Sequence, residues 1–231
     1  MQGIVLIDKP VGWTSFDVVN FIRRIVANSE NKKPKHVKVG HSGTLDPFAT
    51  GLLIIMIGKD YTRQAEQFTK LEKSYVADIL LGKISSTGDT EGEIQLQSTV
   101  EPSIVEVKSV VNSFQGTIQQ TPPIFSAIKI NGKRAYDIAR SGKSVDIPSR
   151  KVTIHSIDMI RYTYPDLKIA CTVSSGTYIR SLAVSIGVAL GTGAYTESLR
   201  RTKIGRYSVD DAISVKDFDV QKLQNALQTN P

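Results

Sequence analysis

One acid stands apart in the stretch GHSGTLDPFATG, residues 40–51: Asp46, held between Leu45 and Pro47, with glycines at 40, 43 and 51. Glycine permits turns and the close approach of another backbone, and Asp-Pro suits a turn. A carboxylate fixed in such a segment is a platform for one reactive acid. The neighbouring His41, Ser42 and Thr44 suggest other chemistries, which the spacing disfavours. Neither G-x-x-x-x-G-K-S/T nor G-x-G-x-x-G occurs, so the common phosphate cradles are absent from the sequence. GHSGT approaches the nucleophile elbow G-x-S-x-G, but Thr44 stands where glycine is needed and Ser42 has no ordered His and Asp partners. His36, His41 and His155 are scattered, and there is no cysteine pair or H-E-x-x-H, so no metal site is expected.

The elements that must carry Asp46 can be read from periodicity. GIVLI is a short buried strand ended by DKPVG. Thr14 then opens TSFDVVNFIRRIVA with Asp17 three residues on, a capping-box start, and Val19, Ile22 and Val26 share one helical face. NSENKKPKHVK is a polar, basic loop into the glycine-rich segment. YVADILLG alternates as a strand, and STGDTEGE supplies turn chemistry with dense negative charge. IVEVKSVVNSF has helical spacing, and TPPIFSAIKINGKRAYDIARSGK reads as strand, Asn-Gly turn and short basic helix. KVTIHSIDMIRYTY and LKIACTV pair around a turn at Pro165 and Asp166. Thr177 begins a helix that carries Ile179, Leu182, Ala183 and Ile186 inward and stops near Gly191. ESLRRTKIGRYSV is a basic strand, and a helix near VKDFDVQKLQNAL closes the chain. Without strict βαβ alternation, the expectation is α+β with a mixed or mostly antiparallel central sheet flanked by helices.

Composition restricts the setting and the partner. The 231 residues are 40% hydrophobic, enough for a substantial core, and form one compact domain in this reading, with no repeat or linker. The net charge of +7 favours a polyanion, nucleic acid before anionic membrane, although lysine-rich loops can also be merely solubilising. Residues 1–40 hold seven basic and three acidic side chains, whereas 84–107 hold five acids and no base, which suggests a basic face. The lone Cys171 lies in a strand-like run and reads as a core residue of a reducing, cytoplasmic compartment. The apolar run in MQGIVLIDKP is too short for a signal peptide or a membrane span, so a soluble protein with no membrane partner is expected.

GHSGTLDPFATGLL, preceded by GIVLIDKPVGWTS, closely resembles the TruB-type tRNA pseudouridine synthases. Further ordered segments carry the same likeness: KSYVADILLGKISSTGDTEGE, TPPIFSAIKINGKRAYDIARSG, SSGTYIRSLAVSIG and YTESLRRTKIGRYSV, together spanning residues 3–209. The resemblance implies a pseudouridine synthase-like fold with an RNA-gripping insertion at about 121–150. It also implies isomerisation of the T-loop uridine at tRNA position 55 to pseudouridine, with base flipping and no cofactor or metal.

By the same resemblance Asp46 is the catalytic aspartate, attacking either the uracil ring or the ribose, and Tyr75 stacks on the target base. Arg180 is the guanidinium expected to pair with Asp46 and keep it ionised. His41 occupies the space the flipped nucleotide vacates, and Tyr178 and Leu199 are further substrate contacts. Lys9 either packs near the active site or belongs to simple turn chemistry. Lys129, Lys133, Arg134, Arg140 and Lys143 in the insertion, and Arg200, Arg201, Lys203 and Arg206 in the late strand, suit phosphate contacts to the T stem-loop of tRNA.

Two features depart from the family pattern. Many members carry a further C-terminal PUA domain; in this reading the catalytic domain takes in residues 1–231 with no separate PUA domain expected, and contacts to the acceptor end of tRNA are expected to be reduced. GKDYTR at 58–63 is also less typical than a small-residue and lysine pattern. Monomer is the default state. The alternative function is a tRNA-binding folding factor with secondary or no catalysis, against which the intact set Asp46, Tyr75 and Arg180 weighs.

Overall fold

The computed structural model describes residues 1–126, 129–130, 133–134 and 147–229. Its strands are β1 (Gly3–Lys9), β2 (Val39–His41), β3 (Thr50–Ile57), β4 (Lys73–Leu81), β5 (Lys83–Ser85), β6 (Ile94–Leu96) and β7 (Gly116–Gln120). They continue with β8 (Lys129–Ile130), β9 (Lys133–Arg134), β10 (Arg150–Thr163), β11 (Asp166–Val173), β12 (Ala194–Ile204), β13 (Tyr207–Ser208) and β14 (Ile213–Ser214). The α-helices are α1 (Ser15–Ser29), α2 (Lys59–Thr62), α3 (Ala65–Lys70), α4 (Ile104–Ser113), α5 (Ile179–Ala189) and α6 (Val220–Ala226). The chain divides into two compact units, Met1–Ser74 with Arg200–Pro231, and Tyr75–Leu199.

In the first unit β1 and β3 run antiparallel from Gly3↔Ile57 to Lys9↔Gly51, with β14 parallel to β1 and β2 antiparallel to β3. GIVLI and LLIIMI lack polar alternation because both faces of these strands are covered. Val5, Ile7, Leu53, Ile55 and Ile57 pack with α1 through Val18, Val19, Ile22 and Val26, and with Phe218 and Leu223. The opposite parity, Ile4, Leu6, Leu52, Ile54 and Met56, packs with Phe68, Ile204 and Tyr207. The expected capping box starts α1: Thr14 receives the Asp17 N–H at 3.0 Å, and the Asp17 carboxylate accepts from the Thr14 N–H at 2.8 Å.

The second unit has the strand order β12-β4-β11-β10-β7, with β10 antiparallel to both β11 and β7. Along β4 and β11 burial alternates residue by residue, as expected where one face packs on a core. Helix α5 buries Ile179, Leu182, Ala183 and Ile186, the face read from the sequence. Its Gly187 is required by packing, since a Cβ there would lie 2.3 Å from the Ala194 nitrogen. Parallel and antiparallel pairings coexist, so the fold is α+β with a mixed sheet flanked by helices, as expected.

Differences from the sequence reading are local. α5 begins at Ile179 rather than Thr177, because Tyr178 is still extended and serves as its N-cap. The closing helix is confined to Val220–Ala226, where Asp219 caps it, while Val215–Asp217 forms a 3-10 turn. α2, α3 and β7 had no strong periodicity to announce them. The expected Asn-Gly turn and basic helix of the insertion lie outside the described residues.

Candidate active site

In the first unit, Asp46 lies on the segment joining β2 to β3, half-buried, and its carbonyl accepts from the Ala49 N–H at 3.1 Å to close a turn. The start of α1 braces the segment. Ser15, buried in the first helical turn, donates through Oγ to the Leu45 carbonyl at 3.1 Å and accepts from the Leu45 N–H at 2.8 Å. The Gly12 N–H donates to the Pro47 carbonyl at 2.8 Å. Lys9 is fully buried, and its Nζ donates to the carbonyls of Trp13 at 2.6 Å, Pro10 at 2.9 Å and Pro47 at 3.4 Å. The two readings of Lys9 therefore converge, because its turn chemistry ties DKPVGW to the residue after Asp46.

His41 ends β2 opposite Ile55, and its Nδ1 is buried with no hydrogen-bond partner among the described residues. Burial, reinforced by the Arg201 charge, holds the imidazole below its ordinary value, which favours the neutral ring at neutral pH. Arg201 is 1% exposed; its Nε donates to the Leu52 carbonyl at 2.8 Å and its Nη2 to the Gly43 carbonyl at 3.1 Å. That burial corrects the expectation of a surface phosphate contact at Arg201, whose guanidinium faces the protein's own backbone. Arg200 remains partly exposed and grips Asp8 with both nitrogens, at 2.8 and 3.0 Å. Lys73 is also buried, donating to the Leu71 carbonyl at 2.7 Å and the Thr69 carbonyl at 2.9 Å. Desolvation first, and then the Arg201 charge, bring its ammonium down to about 8.

In the second unit, Tyr75 is buried on β4 and Leu199 on β12. Arg180, in the first turn of α5, meets the Asp89 carboxylate at 3.0 Å and donates to the carbonyls of Thr87 at 3.0 Å and Phe125 at 2.8 Å. Asp89 is held in turn by the Thr87 hydroxyl at 2.5 Å and the Glu91 N–H at 2.9 Å. Tyr178 is positioned by the buried Gln120 side-chain amide, which accepts from its N–H at 2.8 Å and donates to its carbonyl at 3.0 Å. The Arg150 guanidinium lies over the Tyr178 ring, 5.2 Å from its centroid.

The backbone of Lys129 pairs with that of Arg134, and Ile130 with Lys133, on the short β8–β9 ladder. Arg140 and Lys143 lie outside the described residues. Lys203 and Arg206 follow near the end of β12, where the Arg206 guanidinium sits 5.2 Å from the Tyr207 ring centroid. Cys171 is a core residue of β11 whose thiol burial pushes up to about 12. Among the described residues no group of three or more His, Cys, Asp or Glu could hold a metal ion. No described helix is long and apolar enough to cross a membrane.

Ser15, Lys73, Asp89 and Gln120, which the structure places against the candidate site residues or their segment, are not singled out by the sequence. Asp89 lay in the acidic turn STGDTEGE, whose charge was noticed without its partner. Ser15 could have been suspected from its place directly after the Thr14 cap. Nothing in the sequence marks Gln120.

Solved structures share this fold. A chain described as a Cbf5-Nop10-Gar1 complex is 29% identical with a TM-score of 0.69, over 93% of this chain and 53% of that one. Another, an H/ACA RNP bound to a substrate RNA containing 2'-deoxyuridine, is 26% identical with a TM-score of 0.69, over 98% and 56%. This chain thus spans about half the length of those solved chains. Residues 30–179 match the TruB family pseudouridylate synthase N-terminal domain, and 180–229 the tRNA pseudouridylate synthase B C-terminal domain. Relatives named tRNA pseudouridine synthase B include one from Flavobacterium johnsoniae, 43% identical over 94% of each chain. One from Parabacteroides distasonis is 42% identical over 97% of this chain and 95% of its own. The chain belongs to the TruB family of pseudouridylate synthases.

Proposed function

We propose that this chain is a cytoplasmic, monomeric tRNA pseudouridine synthase that isomerises the T-loop uridine at position 55, with Asp46 as its nucleophile. The observation that carries the reading is the bracing of the Asp46 segment by Ser15, Lys9 and Gly12, which holds one carboxylate in a fixed turn. Relatives named tRNA pseudouridine synthase B, matching nearly the whole chain, support the part of the reading that concerns tRNA pseudouridine synthesis.

The reaction breaks the bond between uracil N1 and ribose C1′, turns the base, and joins C5 to C1′, while the C5 hydrogen leaves as a proton and N1 takes up a proton. Substrate and product are isomers, so no electrons are exchanged. Asp46 supplies the carboxylate that adds to the base or the ribose and later departs, splitting one difficult step into two. Reaching the base requires its extrusion from the T loop, and the Tyr75 ring offers a stacking face for it. Arg180 supplies fixed positive charge for an anionic reaction path, held in a buried network that needs no reorganisation during the reaction. His41 fills the space of the flipped nucleotide as a neutral ring, and Tyr178 and Leu199 line the substrate. Basic side chains of the insertion contact phosphates, so binding falls steeply with salt.

The test is tritium release from tRNA transcript labelled at uridine C5. Wild type releases tritium, and Asp46→Asn loses at least about a thousandfold in rate while still binding transcript. Absence of release from wild type, with binding intact, would instead support a tRNA-folding factor.

A further inference from the structure

The segment that carries Asp46 leaves β2 on one arm and enters β3 on the other, and a single side chain spans both arms. Arg201 lies on β12, where Arg200 and Arg201 pair in parallel with Thr50 and Gly51. From that position its Nε reaches the Leu52 carbonyl at 2.8 Å and its Nη2 the Gly43 carbonyl at 3.1 Å. Leu52 lies beyond Asp46 in the chain and Gly43 before it, so one planar group links the two ends of the segment. The main chains are equally close: a Cβ on Gly51, whose φ is +103°, would stand 2.2 Å from the Arg201 carbonyl oxygen. Only glycine fits there, and it lets the main chains of β3 and β12 run close together at the point from which the Arg201 side chain departs.

Burial makes this arrangement costly. Arg201 is 1% exposed, and among the described residues no carboxylate pairs with it. A buried cation without a carboxylate is unfavourable compared with an apolar side chain of similar volume. Lys73, a second cation, lies near enough for the two charges to repel, and both crowd Gly43: a Cβ there would be 3.6 Å from Lys73 Cε and 3.7 Å from Arg201 Nη1. Stability alone does not call for arginine at this position. What arginine supplies is a planar fork whose donors are fixed relative to one another, whereas the ammonium of a lysine sits on a flexible stem and an apolar residue donates nothing.

We infer that Arg201 is a positioning residue for Asp46, fixing both arms of its segment so that the carboxylate is presented in one orientation. The inference rests on the proposed role of Asp46. Ser15 and Lys9 hold the crest of the segment, and Arg201 holds its base. A nucleophile misplaced by about 1 Å loses about a hundredfold in rate, so loosening the base slows the bound reaction without weakening RNA binding.

The experiment compares wild type, Arg201→Met, Arg201→Lys and Asp46→Asn by single-turnover tritium release, transcript affinity and thermal melting. Arg201→Met is expected to stay folded, to bind transcript within about threefold of wild type, and to lose about a hundredfold in the single-turnover rate. Arg201→Lys keeps the charge without the planar fork, and is expected to fall between wild type and the methionine variant. Should the methionine variant fail to fold, the lysine variant decides alone: a folded protein with normal affinity and a rate at least about tenfold lower supports the inference. A wild-type rate in either folded variant overturns it. So does weakened affinity with a normal bound rate, which would make Arg201 an RNA contact, and so does loss of fold in both, which would make the clamp a matter of stability. The Asp46→Asn arm separates the two readings, because normal release from that variant defeats the role of Asp46 whatever the Arg201 variants do.

Discussion

Each unit buries cations, and they are satisfied differently. In the first unit Lys73 and Arg201 donate to main-chain carbonyls, Thr69 and Leu71 for one, Leu52 and Gly43 for the other. In the second, Arg180 meets a carboxylate, Asp89, which is itself held by Thr87 and Glu91. Carbonyl-bound cations leave their charge uncancelled and act on backbone shape. An ion pair ties two side chains together and fixes where the charge sits. The first arrangement suits a segment that must present one carboxylate, and the second suits a guanidinium that must not move.

The largest expected effect comes from breaking the pair. Asp89→Ala removes one carboxylate partner of the buried Arg180, and should lower stability in chemical denaturation by about 3–5 kcal/mol. A loss near zero would show that the pair contributes as little as a surface bridge and would remove the contrast between the units.

A second test uses pH. Because Lys73 titrates at about 8 in the folded chain against 10.5 for an unperturbed lysine, the unfolded chain holds the proton over a range where the folded chain has released it. Through this group, wild type should gain stability as pH rises from about 8 toward 10.5, and Lys73→Met should remove that rise. Curves of equal slope for wild type and Lys73→Met would mean that Lys73 is not desolvated.

The smallest effect is a control. Each unit starts one helix with the same capping box, Thr14 with Asp17 in the first and Ser103 with Glu106 in the second. Thr14→Ala and Ser103→Ala should each cost about 1 kcal/mol. Similar losses would place the difference between the units in their buried cations and not in their helix starts.

Much of this was legible in the residues. The apolar run GIVLI announced β1, the capping box announced α1, and the facing set Ile179, Leu182, Ala183 and Ile186 announced α5, because burial of apolar area is periodic and periodicity is written locally. The motif around Asp46 singled out the acid. Short elements were not legible: α2 and α3 are too brief to show a period, and β7 exposes alternate residues without a strong apolar set. The proposed roles of Tyr75, Arg180 and His41 rest on the family resemblance, because their residue types alone would suit ordinary packing.

The chain's composition and local patterns determined an α+β fold, a capped first helix and a single acid in a glycine-rich turn. Tertiary structure decided which polar groups hold that turn and which hold each other. Arg200 and Arg201 are identical neighbours in sequence, yet a strand sends successive side chains to opposite faces, so one grips Asp8 near solvent and the other is buried against Gly43 and Leu52. Asp89 and Arg180 are likewise distant in sequence and join only because the chain folds back. Partnership between remote side chains depends on the path of the backbone, which no local pattern encodes.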